Sequence, residues 1–128
     1  MGLPFLAFAA QTLSSLTEGQ KQNLTLIANE IVKKQQADGS WEFFANLRRP
    51  PINESQTTDV AWSIMALQGQ MGPGAPKAQR EALTKAIAWL DAAKPCNLHQ
   101  DKVLKVLIGV RSGKPRKALQ ATIDELLA

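Results

Sequence analysis

A chain of 128 residues, 45% apolar and 20% charged, is long enough to bury one core, and its single cysteine, Cys96, excludes an internal disulfide. The net charge of +4 is thin and scattered over Arg48, Arg49, Lys102, Lys105, Arg111, Lys114, Arg116 and Lys117. No aromatic residues interleave with those cations, which excludes a stacking platform for nucleic acid.

Ala, Leu, Gln, Lys and Glu dominate the composition, and period-two runs of β-branched residues are absent, so the chain reads as all-α and the pattern disfavours a sheet. Breakers and caps place six helical segments. The first runs from about Leu3 to Leu16 and opens with apolar residues. That stretch is too short to span a bilayer and lacks the basic start of a secretory leader, so a buried helix is the reading. Met1-Gly2 does not begin a myristoylation signal, because Leu6 stands where Ser or Thr is required. Thr17-Glu18-Gly19-Gln20 has capping-box form and starts a second helix to about Gln36, which Asp38-Gly39 stops. A long connection through Trp41, Phe43, Phe44 and Leu47 ends in Arg48-Arg49-Pro50-Pro51, where two prolines exclude helix. Asn53-Glu54-Ser55-Gln56 reads as a second capping box, opening a third helix to about Gln70. Further helices are expected from about Lys77 to Ala93, His99 to Arg111 and Arg116 to Leu127, the last with Pro115 near its first turn.

Two kinds of helix alternate. The second, fourth and sixth segments are amphipathic; the fourth sets Leu83, Ala86, Ile87 and Leu90 against Lys77, Arg80, Glu81 and Lys85. The first, third and fifth are apolar almost all round, as in Val60-Ala61-Trp62-Ser63-Ile64-Met65-Ala66-Leu67 and in Val103–Val110. Helices of the second kind are expected to be buried on every side. Such alternation describes an inner layer wrapped by an outer one. An offset of 59 residues aligns Glu30–Gln35 with Trp89–Lys94, each at the end of an outer helix, as stacked repeats require.

Gln35-Gln36-Ala37-Asp38-Gly39-Ser40-Trp41 resembles the Gln-x-x-x-Gly-x-Trp core of the QW repeat of squalene–hopene and oxidosqualene cyclases; related repeats occur in protein prenyltransferase β-subunits. Glu54-Ser55-Gln56-Thr57-Thr58-Asp59-Val60-Ala61-Trp62 is similar to the inner helix that follows the motif, with two extra residues after the Thr. The likeness covers roughly residues 20–94; the second repeat is degenerate at Lys94–Leu98. It implies an α/α toroid, here three inner/outer antiparallel helix pairs in a single domain over 1–128. Gln35, Gly39 and Trp41 would act as a structural clamp: Gly39 for a tight exit with positive φ, Gln35 for free backbone groups, Trp41 packed over the amide.

Catalytic patterns are incomplete. The Asp-x-Asp-Asp with which class II terpenoid cyclases protonate substrate is reduced to Asp59, without the neighbouring carboxylates that keep an acid protonated. Cys96, His99 and Asp101 resemble the zinc ligands of prenyltransferases only in residue type, since they fall in one local loop. No triad or phosphate-cradling glycine loop is present, and no cofactor or metal is expected. The candidate binding surface comprises Phe43, Phe44, Arg48, Arg49, Glu54 and Asp59.

The expected function is a non-catalytic helical-repeat scaffold or binding module, part of a larger cyclase-like toroid. The alternative is a fragment of an isoprenoid or triterpene cyclase, or of a prenyltransferase-like enzyme, with its catalytic carboxylates elsewhere. Expected partners are a second copy or the rest of the toroid, with an apolar lipid as a further candidate. Nucleic acid and a transmembrane segment are not expected. The lone thiol favours a cytoplasmic setting, while the apolar N-terminal stretch leaves secretion open.

Overall fold

The computed structural model describes residues 16–42, 48–49, 52–53, 56–71, 74–93 and 99–128. The fold is all-α, with helices packed directly on one another. In chain order come α1 (Glu18–Lys33), a two-residue ladder of β1 (Arg48–Arg49) and β2 (Ile52–Asn53), α2 (Gln56–Gln68), α3 (Lys77–Ala92), α4 (His99–Arg111) and α5 (Arg116–Leu127). The helix expected over residues 3–16 lies outside the described residues.

Local chemistry explains the helix starts. The Gln20 amide donates to Thr17 Oγ1 at 3.2 Å, and Gln20 Oε1 accepts the Thr17 amide at 2.9 Å, completing the capping box of α1. Pro76 and Pro115 are the N-caps of α3 and α5, with φ of −58° and −65°. Pro115 therefore stands one step before the first helical turn. Its fixed φ suits an extended residue entering a helix, and no side-chain cap is made there.

The all-α expectation stands with one small addition, and two further expectations are corrected. A short antiparallel ladder exists: Arg48 faces Asn53 and Arg49 faces Ile52, a local reversal of the long connection rather than a sheet of the core. Asn53 is held in that ladder, so it does not cap α2, which begins at Gln56. Helix α4 is not buried on every side, because Val103, Leu107 and Val110 are 44%, 43% and 63% exposed. Its neighbours α2 and α5 occupy other faces, and an apolar sequence alone does not supply a third neighbour.

Helices α2 and α4 lie side by side and run in the same direction. Near both N-termini the Thr58 hydroxyl donates to Asp101 Oδ1 at 2.7 Å, and near both C-termini Gln68 Nε2 donates to Ser112 Oγ at 2.9 Å. Helices α1 and α3 pack on each other and on α2. Helix α5 runs back along α4: Gly109 meets Leu119 near one end, and Lys102 pairs with Glu125 at 3.0 Å near the other. The core centres on α2, whose Val60, Ile64, Met65 and Leu67 are at most 1% exposed, joined by Ile31, Trp41, Ala86 and Leu90. Burying aliphatic side chains of this size contributes roughly 1.5–3 kcal/mol each before entropy is set against it.

The helix pairs have unequal connections. Helices α1 and α3 begin 59 residues apart, whereas α2 and α4 begin 43 apart, so the first connection is 16 residues longer than the second. The Gln-x-x-x-Gly-x-Trp segment and the ladder both lie in that longer connection.

Candidate functional site

The best-built polar arrangement among the described residues lies where the chain leaves α1. The helix ends at Lys33, three residues before the expected end, as the Lys34 amide is shared between the carbonyls of Glu30 and Ile31 and the Gln35 amide tightens onto the Val32 carbonyl at 3.2 Å. A tight turn follows, closed by Gly39 N–H to the Gln36 carbonyl at 3.0 Å and by Gln36 N–H to the Ser40 carbonyl at 2.8 Å. Gly39 takes φ of 96°, which L side chains rarely adopt. A Cβ built there would sit 2.7 Å from the Lys85 carbonyl oxygen, so the turn is pressed directly on the backbone of α3.

Three side chains lock this contact. Gln35 Nε2 donates to the Gly39 carbonyl at 3.0 Å and to the Ala82 carbonyl of α3 at 2.8 Å. Trp41 is fully buried, and its indole N–H donates to the Ile31 carbonyl at 2.7 Å, tying the exit strand to the last turn of α1. Ser40, also fully buried, sets its single hydroxyl proton between Asp38 Oδ1 at 2.6 Å and Gln36 Oε1 at 2.8 Å, and its oxygen accepts from Gln56 Nε2 of α2 at 3.1 Å. The turn therefore touches α1, α2 and α3 at once. The Ser40 hydroxyl, helped by the Ser40 amide and the Trp89 indole, holds the Asp38 carboxyl below its usual range; the small opposing effect of burial is outweighed. A further tie between two of these helices has Gln79 Nε2 of α3 donating to Asn29 Oδ1 of α1 at 3.1 Å.

A second polar group joins the N-terminal ends of α2 and α4. Asp101 is 2% exposed and accepts the Thr58 hydroxyl, which in turn accepts from Gln100 Nε2 at 3.1 Å. Asp59, next to Thr58, is 8% exposed, and its carbonyl accepts the Ser63 hydroxyl at 2.8 Å. Both carboxylates sit in the first turn of their helices, where the helix dipole favours negative charge. This arrangement fastens two helices and requires no substrate to explain it.

A cleft of about 160 Å³ opens between α3, α4 and α5, lined by Ile87, Leu90, Val106, Gly109 and Leu119. The ion pair of Lys114 with Asp91, at 3.0 Å, stands beside it. Pockets for drug-sized ligands are about 300–1,000 Å³, so this cleft is too small for a folded polyisoprenoid.

The expected site residues separate accordingly. Gln35, Gly39 and Trp41 are brought together in the turn just described. Asp59 is buried in the first turn of α2 rather than exposed on a recognition surface. Phe43, Phe44 and Glu54 lie outside the described residues, and for Arg48 and Arg49 the backbone ladder alone is described. Of the loop residues considered as metal ligands, Cys96 is outside the described residues, His99 is exposed and Asp101 is turned inward on Thr58. Among the described residues no cluster of three His, Cys, Asp or Glu is placed to hold a metal ion.

Sequence reasoning missed Ser40, Gln56 and the pair of Asn29 with Gln79. Ser40 carried a usable signal: Asp two residues earlier, beside a glycine, is a common setting for a side chain that folds back on the backbone. Asn29 and Gln79 carried none, because each reads as an ordinary polar residue on an outer helix. No helix among the described residues is long and apolar enough to cross a membrane. Compared with protein-family models, curated proteins and solved structures, the chain matches none.

Proposed function

We propose that this chain is a helical-repeat scaffold or binding module of the QW-repeat kind, in which the turn at residues 35–41 fastens one helix pair to the next. The observation that carries this reading is Gln35, whose single amide bonds its own turn and the middle of α3. A residue serving a ligand would leave that donor facing a cavity, whereas here both N–H bonds go to backbone carbonyls. The parallel pairing of α2 and α4, with amphipathic helices behind them, supports a stacked arrangement that further helix pairs or a second copy would extend into a toroid.

The non-catalytic part of the reading rests on the same accounting. Asp101 is engaged by Thr58, and the cleft beside α5 is below the size of an isoprenoid pocket. Calorimetric titration of the chain with a triterpene and with a prenyl diphosphate is expected to give no saturable heat. Saturable binding of either compound would overturn the scaffold reading in favour of an isoprenoid-handling enzyme.

A further inference from the structure

Helices α2 and α4 have the same length, 13 residues, and the same direction, so their positions correspond at an offset of 43. Val60, Ile64 and Leu67 of α2 are each 0% exposed, while the corresponding Val103, Leu107 and Val110 of α4 are 44%, 43% and 63% exposed. The three α4 residues follow one another at intervals of four and three, which puts them on one face of the helix. Their spacing of four and three is that of a coiled-coil seam, and half-buried Val106, which lines the cleft, stands at its edge.

Charge tells what kind of helix fits. Residues 99–117 contain six Lys and Arg and one acid, a net +5, whereas the whole chain is +4. The basic excess therefore lies in one contiguous segment, α4 and the turn that follows it. The single acid, Asp101, is turned inside on Thr58 and leaves no exposed carboxylate on α4 itself. Lys102 precedes Val103, and Arg111, Arg116 and Lys117, all exposed, follow Val110 in the turn and the start of α5, while Lys114 lines the cleft beside α3. Lys102 is matched by Glu125 and Lys114 by Asp91, but Arg116 and Lys117 form no ion pair among the described residues.

We propose that the seam of α4 is a docking site for an amphipathic helix whose apolar stripe is flanked by Asp and Glu. The proposal rests on the reading of the chain as a binding module and names the chemistry of its partner. A second copy seated seam to seam would set Lys102 and the basic turn against their own likes, which disfavours it. An anionic bilayer would also attract the charge, but a seam of short aliphatic side chains with no aromatic residue inserts poorly. The exposed seam extends about two helical turns, so binding relies on charge as well as apolar contact and weakens with salt.

The test uses a synthetic amphipathic helix with Leu along its stripe and Glu on its flanks, labelled with fluorescein, and the full chain. Saturable binding that falls at least about fivefold when 0.5 M salt is added is expected. Leu107→Gln with Val110→Gln should abolish it, and Arg116→Glu with Lys117→Glu should weaken it about tenfold; these side chains are exposed, and unchanged melting confirms that each variant folds. The proposal is overturned if the peptide does not bind, or if the same peptide with Lys flanks binds equally well. It is equally overturned if sedimentation shows a dimer that the Leu107 and Val110 changes dissociate, or if phosphatidylserine vesicles capture the chain and the peptide does not. Absence of peptide binding leaves the scaffold reading standing, whereas saturable triterpene binding would remove that reading whatever the peptide does.

Discussion

The side-chain amide of Gln35 lies 2.8 Å from the carbonyl of Ala82, a residue 47 positions later in the middle of α3. The same nitrogen reaches the Gly39 carbonyl, so one NH2 group supplies both a local turn and a long-range tie. Removing it by Gln35→Ala should cost about 1–3 kcal/mol, the usual value for two part-buried hydrogen bonds lost together. Gln35→Glu should be worse than Ala although it is closer in shape, because a carboxylate has no N–H and would face two carbonyl oxygens. Denaturant melts rank the two variants; Glu as stable as wild type would show that the tie is inconsequential.

Trp41 combines complete burial with a 2.7 Å bond to the Ile31 carbonyl. Trp41→Ala is expected to destabilise the fold by about 3–5 kcal/mol, mostly through the cavity left in the core. Trp41→Phe keeps much of the volume and should cost markedly less, since the Ile31 carbonyl still accepts the Lys34 amide at 3.2 Å. A loss under about 1 kcal/mol for the alanine variant would show that neighbouring side chains close the gap.

The acid limb of stability carries a signature of Asp38. Its folded pKa lies below the ordinary value of 3.8, chiefly because of the Ser40 hydroxyl and then the Ser40 amide. A depressed carboxylate pKa stabilises the fold fully at pH well above 3.8, and that contribution is lost as pH falls through the folded value. Asp38→Asn keeps an acceptor for Ser40 but not the charge. Wild type should therefore melt above the Asn variant at pH 6, with the gap narrowing as pH drops below 3.8. Glu30, also lowered by its bond to Lys33, is present in both proteins and cancels. A gap independent of pH would rule out the assigned cause.

What the sequence made legible follows from the range of each interaction. Caps and breakers act within a few residues, so Thr17 with Gln20 and the limits of α4 and α5 were readable directly. The turn at residues 35–41 was readable as a motif, but its partner was not: nothing near Gln35 indicates Ala82, and nothing near Gly39 indicates Lys85. Asp101 looked like a loop acid beside a cysteine and a histidine until α4 was set against α2, where Thr58 claims it. The apolar run of α4 suggested burial on all sides because composition counts faces and does not count neighbours.

Two glycines separate the effects that a single alanine can have. At Gly39 a Cβ would lie 2.7 Å from the Lys85 carbonyl oxygen, which is backbone inside α3, and φ is 96°. Neither obstacle yields: the helix would have to move, and the conformation itself is strained for any L side chain. Gly39→Ala should therefore cost more than about 1 kcal/mol from backbone conformation alone, with the collision added. At Gly109 the nearest atom is Leu119 Cδ2 at 2.6 Å, the end of a flexible side chain. Both residues line the cleft of about 160 Å³, which gives the leucine somewhere to turn. Alanine in a helix interior gains about 0.8–1 kcal/mol over glycine, against the cost of rotating Leu119, about 0.5–1.5 kcal/mol for an imperfect rotamer. The two nearly cancel, so Gly109→Ala should shift stability by less than about 1 kcal/mol in either direction. Equal losses for both variants would mean that α5 is held against α4 as rigidly as the Gly39 turn is held against α3, and the order Gly39 worse than Gly109 is what chemical denaturation should return.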